Sequence, residues 1–303
     1  MLLFGLAACG RFGFGGDDAA DAPVAGADAR VDAESDARDD LGMFATPIVL
    51  TVLDDPASQD DDPTLPDDML EVFFDASRDG GPTTAWGDIW VARRASVGDA
   101  FGDPTLVAEL ASLEDDTSPD ITGDGLRMYF GSERETPGNR EIFVTERADR
   151  TSPGSTPVRV PGLESSAHDS GAIEFGGGLR LMFLSARAGT SDLYETTRAT
   201  LTSPWSLPAP VPGLADPTIN ESEHWVSEDG LVVYFSSDQP GSDGYDIWRT
   251  QRPSLGAAFE QAERVTELST AEMDVDPWLS PDQRTLVFMS YRTGNGDLYV
   301  TTR

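Results

Sequence analysis

A pattern about seventeen residues long occurs five times in this chain, and its spacing limits the folds open to it. DPTLPDDMLEVFFDASR (62–78) aligns without a gap on DPWLSPDQRTLVFMSYR (276–292). Between them lie SPDITGDGLRMYFGSER (118–134), SGAIEFGGGLRLMFLSAR (170–187) and EHWVSEDGLVVYFSSDQ (223–239). The column Arg78, Arg134, Arg187, Gln239 and Arg292 advances by 56, 53, 52 and 53 residues. After a Gly-rich turn each copy resumes at Asp88, Glu141, Asp192, Asp246 or Asp297. A constant period of this size marks a propeller or solenoid and outweighs any local propensity.

Local chemistry selects the propeller. LRMYF, LRLMF, LVVYF and TLVFM are short, rich in β-branched and aromatic residues, and bounded by Gly, Pro, Asp and Ser. That is how strands buried on both faces read. No 3.6-residue periodicity is sustained, which disfavours a helical solenoid. Four strands fit one period, and blades of four antiparallel strands around an axis leave only short, protected edges. Outer strands are expected within 101–110, 156–163, 205–214 and 259–268. The last copy ends at Arg303 without one, while FATPIVLTVL (44–53) has the outer-strand pattern and no blade of its own. The expected fold is therefore all-β: a five-bladed propeller closed by the N-terminal strand pairing with the C-terminal blade. An open array would expose two apolar strand edges.

The pattern S-P-D-x-x-x-L-x-F-x-S-x-R followed by G-x-x-D-[IL]-Y resembles the TolB-type, WD40-like β-propeller repeat over residues 44–303. The fourth copy departs most, with Gln239 where the others have Arg. The resemblance implies the fold; propellers of this type serve as protein-binding modules, lipoprotein ectodomains and enzyme appendages.

Ahead of the propeller, residues 1–9 are apolar and end in the only cysteine, Cys9. Leu6-Ala7-Ala8-Cys9 is similar to the bacterial lipobox, which implies a shortened signal segment and lipid attachment at Cys9. The segment lacks a basic start and a full-length apolar stretch, as a start codon placed too far downstream would produce. Residues 10–41 are low-complexity Gly, Ala and Asp, read as an acidic, disordered tether because they bury too little apolar surface to fold. The propeller then occupies 42–303. These features imply an envelope-anchored or secreted protein, with membrane contact only through the lipid.

The net charge is −33, and all 21 basic residues are arginine. Nucleic acid is excluded as a partner, since phosphate binding needs a positive footprint. The expected partner is an envelope protein or an extracellular polymer engaged by a monomeric propeller.

Within the blades, Asp88, Asp192, Asp246 and Asp297 are expected to fix turns, and the Arg column to pair with such carboxylates across blades. Trp90, Phe143, Tyr194, Trp248 and Tyr299 are expected to pack between blades. The chemically richer candidates are Asp60, Asp62, Asp116, Glu221, Glu223, Asp274 and Asp276, at or just before the start of the inner strands; the third blade has His168 and Asp169 there. Propeller geometry would gather them at one channel mouth. Such a ring would suit a hard cation such as calcium, or an acid and a base flanking a glycosidic bond, as in five-bladed glycosidases. Strand ends facing water remain the alternative. Trp225 and Trp278 lie on inner strands and fit either core packing or a stacking surface, with His168 and His224 nearby in sequence. The two histidines fall in different repeat columns, which opposes a zinc site. No G-x-S-x-G elbow, P-loop or H-E-x-x-H occurs. Two functions follow: a binding or scaffold module, or a channel-mouth glycan hydrolase or lyase. Limited proteolysis should cut within 10–41 and leave a resistant fragment; cuts spread evenly through the chain would contradict the division.

Overall fold

The computed structural model describes residues 41–82, 87–216, 218–242 and 244–303. Cys9, the signal-like segment and the tether through residue 40 lie outside the described residues. The remainder forms five four-stranded antiparallel sheets arranged as blades around an axis. The innermost strands are Asp60–Thr64, Asp116–Ile121, Asp169–Phe175, Glu221–Val226 and Asp274–Leu279. Ring closure is as the unpaired N-terminal segment predicts. Ile48 and Val49 pair with Val300 and Tyr299 as the outer strand of the fifth blade. The seam extends through the Ala45 amide to the Thr302 carbonyl at 2.8 Å and the Thr301 hydroxyl to the Ala45 carbonyl at 2.6 Å.

The outer strands are shorter than the sequence pattern predicts, with two residues each, as in Thr105–Leu106 and Val158–Arg159. Pro104 and Pro157 stand at or near their starts, and proline has no amide to give to a ladder. The expected inter-blade aromatics Trp90, Phe143, Tyr194, Trp248 and Tyr299 are all buried.

The Arg column takes a different partner from the one the sequence suggests. Arg78, Arg134, Arg187 and Arg292 pair with Asp60, Asp116, Asp169 and Asp274 at 2.5–2.9 Å. These are inner-strand carboxylates of the same blade, not the turn residues Asp88, Asp192 and Asp297. The same guanidinium donates to the carbonyl of Leu53, Leu110, Leu163 or Leu268, at the end of the preceding blade. Each also lies 5.0–5.2 Å from the ring centroid of Phe74, Phe130, Phe183 or Phe288. One side chain thus ties an inner strand, a neighbouring blade and an aromatic core together, which suits the planar fork of arginine.

The fourth blade lacks this clamp. Gln239 replaces the arginine, and both its Nε2 and Oε2 of the buried Glu221 make no hydrogen bond. Removing a clamp, as in Arg292→Gln, strands the fully buried Asp274 and should cost about 3–5 kcal/mol, read as a lowered urea midpoint. Building one with Glu221→Asp and Gln239→Arg together should raise the midpoint. An unchanged midpoint in both variants would show that the clamps do not hold the blades.

Candidate functional site

Every inner strand is irregular at the same place. Two of its residues stand opposite one on the second strand: Asp62 and Pro63, Ser118 and Pro119, Gly171 and Ala172, Ser222 and Glu223, Asp276 and Pro277. Such a bulge leaves a residue unpaired and re-aims its side chain. Proline at the second position is tolerated because the ladder is already broken there. Asp62, Ser118 and Asp276 have φ of 50°, 50° and 58°, a left-handed conformation that costs a non-glycine residue about 1–2 kcal/mol and is concentrated at functional sites.

The bulge divides the seven sequence-predicted acids into two groups. Asp60, Asp116 and Asp274 are consumed by arginine clamps inside the blades, and Glu221 is buried in the unclamped fourth blade. They do not reach the mouth. Two residues along, Asp62, Glu223 and Asp276 line a bowl of about 670 Å³. Asp61 and Asp75, which the repeat alignment does not single out, join them. One oxygen from each of Asp61, Asp62 and Asp276 falls within 4.8 Å of the other two.

Neighbouring blades brace this floor. Asp75 accepts the Ser118 amide at 3.0 Å, and Asp62 accepts the Ser118 hydroxyl at 2.9 Å. The Ser236 hydroxyl accepts the Asp276 amide at 2.9 Å. In the third blade the bulge residue is glycine, Gly171 at φ 55°, and the Glu223 carboxylate fills the space a Cβ would take. Arg140 reaches the bowl from the second blade and opposes the acidic field at Asp62 and Glu223. Tyr245 and Tyr291 complete the wall.

Burial is the main influence on these carboxyls, with neighbouring carboxylates second. Together they raise the pKa of Asp62 to about 7 and hold Asp75, Glu223 and Asp276 well above the usual carboxylate range. Asp62 and Glu223 keep some surface in the bowl, yet protein rather than bulk water surrounds them. Below the floor the axis is closed. Thr64, Asp120, Ile173, Trp225 and Trp278, one from each inner strand, leave only about 30 Å³, room for little more than a water molecule.

Trp225 and Trp278 therefore plug the channel as core residues and offer no stacking surface; they are 8% and 6% exposed. His224 is buried beside them, its pKa pushed down to about 3 by burial, and neither ring nitrogen makes a well-formed hydrogen bond. His168 is exposed, and its Nδ1 accepts the Arg140 amide at 3.1 Å. It braces the segment that carries the bowl's arginine.

No known family profile and no curated protein matches the chain. Solved structures do. Putative TolB from Agrobacterium tumefaciens superposes with a TM-score of 0.50 at 17% identity, covering 84% of this chain and 80% of that one. The chain shares the β-propeller fold of TolB. The same likeness extends to an endo-arabinase from Bacteroides thetaiotaomicron, with a TM-score of 0.58 at 13% identity over 86% of this chain and 97% of that one. A family 117 glycoside hydrolase from Zobellia galactanivorans gives 0.59 at 13% identity over 86% and 90%. At these identities the shared property is the fold.

The buried acids have a consequence for stability. Carboxyls titrate near pH ~4 in an unfolded chain, whereas Asp60 and Asp62 are raised to about 7, Asp120 to about 8 and Glu221 to about 9 when folded, with burial the first cause in each. The folded state binds more protons over that window, so this contribution is complete at low pH and is lost as pH rises through the folded values. Tm should be higher at pH 5.5 than at pH 8.5, and Asp62→Asn should flatten the dependence. Equal or greater stability at pH 8.5 would contradict the protonated interior.

Proposed function

We propose that this propeller is a binding module whose mouth captures a positively charged group of a partner protein or extracellular polymer. The observation behind this reading is the convergence of five carboxyls, from three of the five blades, on one dead-end bowl of about 670 Å³. The volume lies within the usual range of ligand sites. A guanidinium or ammonium entering it would replace protons on the raised carboxyls and gain charge-assisted hydrogen bonds. The oxygen donors of Asp61, Asp62 and Asp276 also fit calcium, which would compete for the same floor. The chain would act from the cell envelope, anchored through Cys9 with residues 10–41 as spacer, or as a secreted protein.

A second reading has one observation in its favour. Burial favours the protonated form of Glu223 in a bowl shared with several other carboxyls, and a carboxyl held protonated near neutral pH is what a general acid requires. Under it the bowl would cleave a glycan, as the two glycoside-active similarities suggest.

The test is titration of the folded chain with Ac-Gly-Arg-Gly-NH2 and Ac-Gly-Gln-Gly-NH2 at low salt. The arginine peptide should bind at least tenfold more tightly, weaken with added salt or calcium, and lose most of its affinity in Asp276→Asn. Indifference to charge would overturn the binding reading. Turnover of aryl glycosides that disappears in Glu223→Gln would establish the hydrolase instead.

A further inference from the structure

A second column of arginines runs along the ends of the third strands: Arg94, Arg147, Arg198, Arg252 and Arg303. In every blade its Nε donates to the carbonyl of a turn in the same blade, at 2.6–2.8 Å. In four blades the guanidinium is then covered by an aromatic ring. Arg94 carries Phe101 at 4.3 Å, Arg198 carries Trp205 at 4.3 Å, and Arg252 carries Phe259 at 4.6 Å. Arg303 carries Phe44 at 4.2 Å, across the closure seam. Within the first, third and fourth blades the ring lies seven residues after the arginine.

The second blade breaks the column. Seven residues after Arg147 stands Gly154, and among the described residues the ring this guanidinium lies over is Phe73 of the first blade, at 5.7 Å. The place is a pocket of about 660 Å³ between the first and second blades, lined by Gly154, Arg147 and an apolar floor that includes Phe73, Leu110, Ile121 and Met128. The pocket is held open. Arg147 is fixed by the Gly125 carbonyl at 2.6 Å and by Glu71 at 2.5 Å, and Arg150 reaches the same Glu71 at 2.8 Å. Arg93 and Arg94 lie on the wall, so four arginines face three carboxylates in a chain of net charge −33.

We infer that this inter-blade pocket is a second binding site, independent of the acidic mouth, and that it receives an aromatic side chain of a partner polypeptide. The arrangement in the other blades specifies the ligand: a ring stacked on an arginine that is already positioned, carried on a short extended segment. Such stacking is favourable when the cation is held and partly desolvated, and aromatic anchors in preformed pockets carry much of the energy at protein interfaces. A polypeptide is the fitting source because a chain segment delivers the ring in four blades. The pocket volume exceeds one ring and leaves room for the backbone on either side.

The experiment uses the full chain with 13C-methyl methionine and the probes Ac-Gly-Trp-Gly-NH2, Ac-Gly-Leu-Gly-NH2 and free indole. The tryptophan peptide should produce a saturable ring-current shift of the Met128 methyl and bind at least tenfold more tightly than the leucine peptide. Gly154→Trp, which supplies the ring from the chain as in the third blade, should abolish that shift while leaving arginine-peptide binding at the mouth intact. Because this variant must displace the Thr145 hydroxyl, the Met128 shift in the unaltered chain decides the matter if the variant fails to fold. No saturable shift, or equal affinity for the two peptides, would overturn the site. Free indole binding as tightly as the tryptophan peptide would overturn the polypeptide assignment.

Discussion

The ring is closed by a seam of a few residues, where the chain between Ala45 and Leu50 hydrogen-bonds along Leu298 to Thr302. Closure of a loop this long costs entropy that two ladder pairs alone would not offset. Phe44 adds to the seam, buried in the core, stacked on Arg303 and donating its amide to Glu267 at 3.3 Å. The seam follows the same rule as the first, third and fourth blades: an arginine at the end of the third strand, then an aromatic side chain, then an outer strand. Here the sequence order is broken, but the packing is not. Only a closed ring brings inner strands from all five blades to one axis, so the mouth exists because the seam holds.

The repeat made the architecture legible because strand length, period and the unpaired segments at both ends all pointed to one closed wheel. The site was legible only in part. The alignment placed Asp60 and Asp62 side by side as equivalent candidates, yet one is clamped inside a blade and the other faces the bowl. The difference is a one-residue shift in strand pairing, and nothing in composition marks it. In a regular strand residues two apart share a face; the bulge cancels that rule. Pro63, Pro119 and Pro277 were the available signal, since proline inside an inner strand requires broken pairing. Asp75 had a signal too, as the only carboxylate in a column otherwise filled by Gly131, Leu184, Ser236 and Met289. Arg140 had none, because it comes from a turn outside the aligned segment.

At the clamps, arginine is favoured for a physical reason. Each clamp asks one side chain to meet a carboxylate, a carbonyl and a ring face simultaneously. A planar fork meets all three, while a lysine ammonium is a point charge with no flat face. In four blades this places a cation directly against a buried inner-strand acid. Five other carboxyls line the mouth, where burial and mutual repulsion favour the protonated forms of Asp62, Asp75, Glu223 and Asp276. Under the proposed reading, the mouth exchanges those protons for another positive charge.

The columns that repeat five times build the wheel, and the places where a column fails acquire other uses. Gly171 gives up a bulge side chain, and the Glu223 carboxylate occupies the space. Gln239 gives up a clamp, leaving Glu221 buried with an oxygen that makes no hydrogen bond. Gly154 gives up a ring, and the result differs from an ordinary large-to-small change in a core. A deleted core side chain leaves a void that neighbours partly fill. Around Gly154 they are not free to do so: Arg147 is tied to Gly125 and Glu71, Thr145 donates to the Ser155 carbonyl at 2.7 Å, and the floor belongs to two rigid sheets. A gap whose walls are fixed by bonds to other groups keeps its shape. It therefore remains available to a ring from outside the chain.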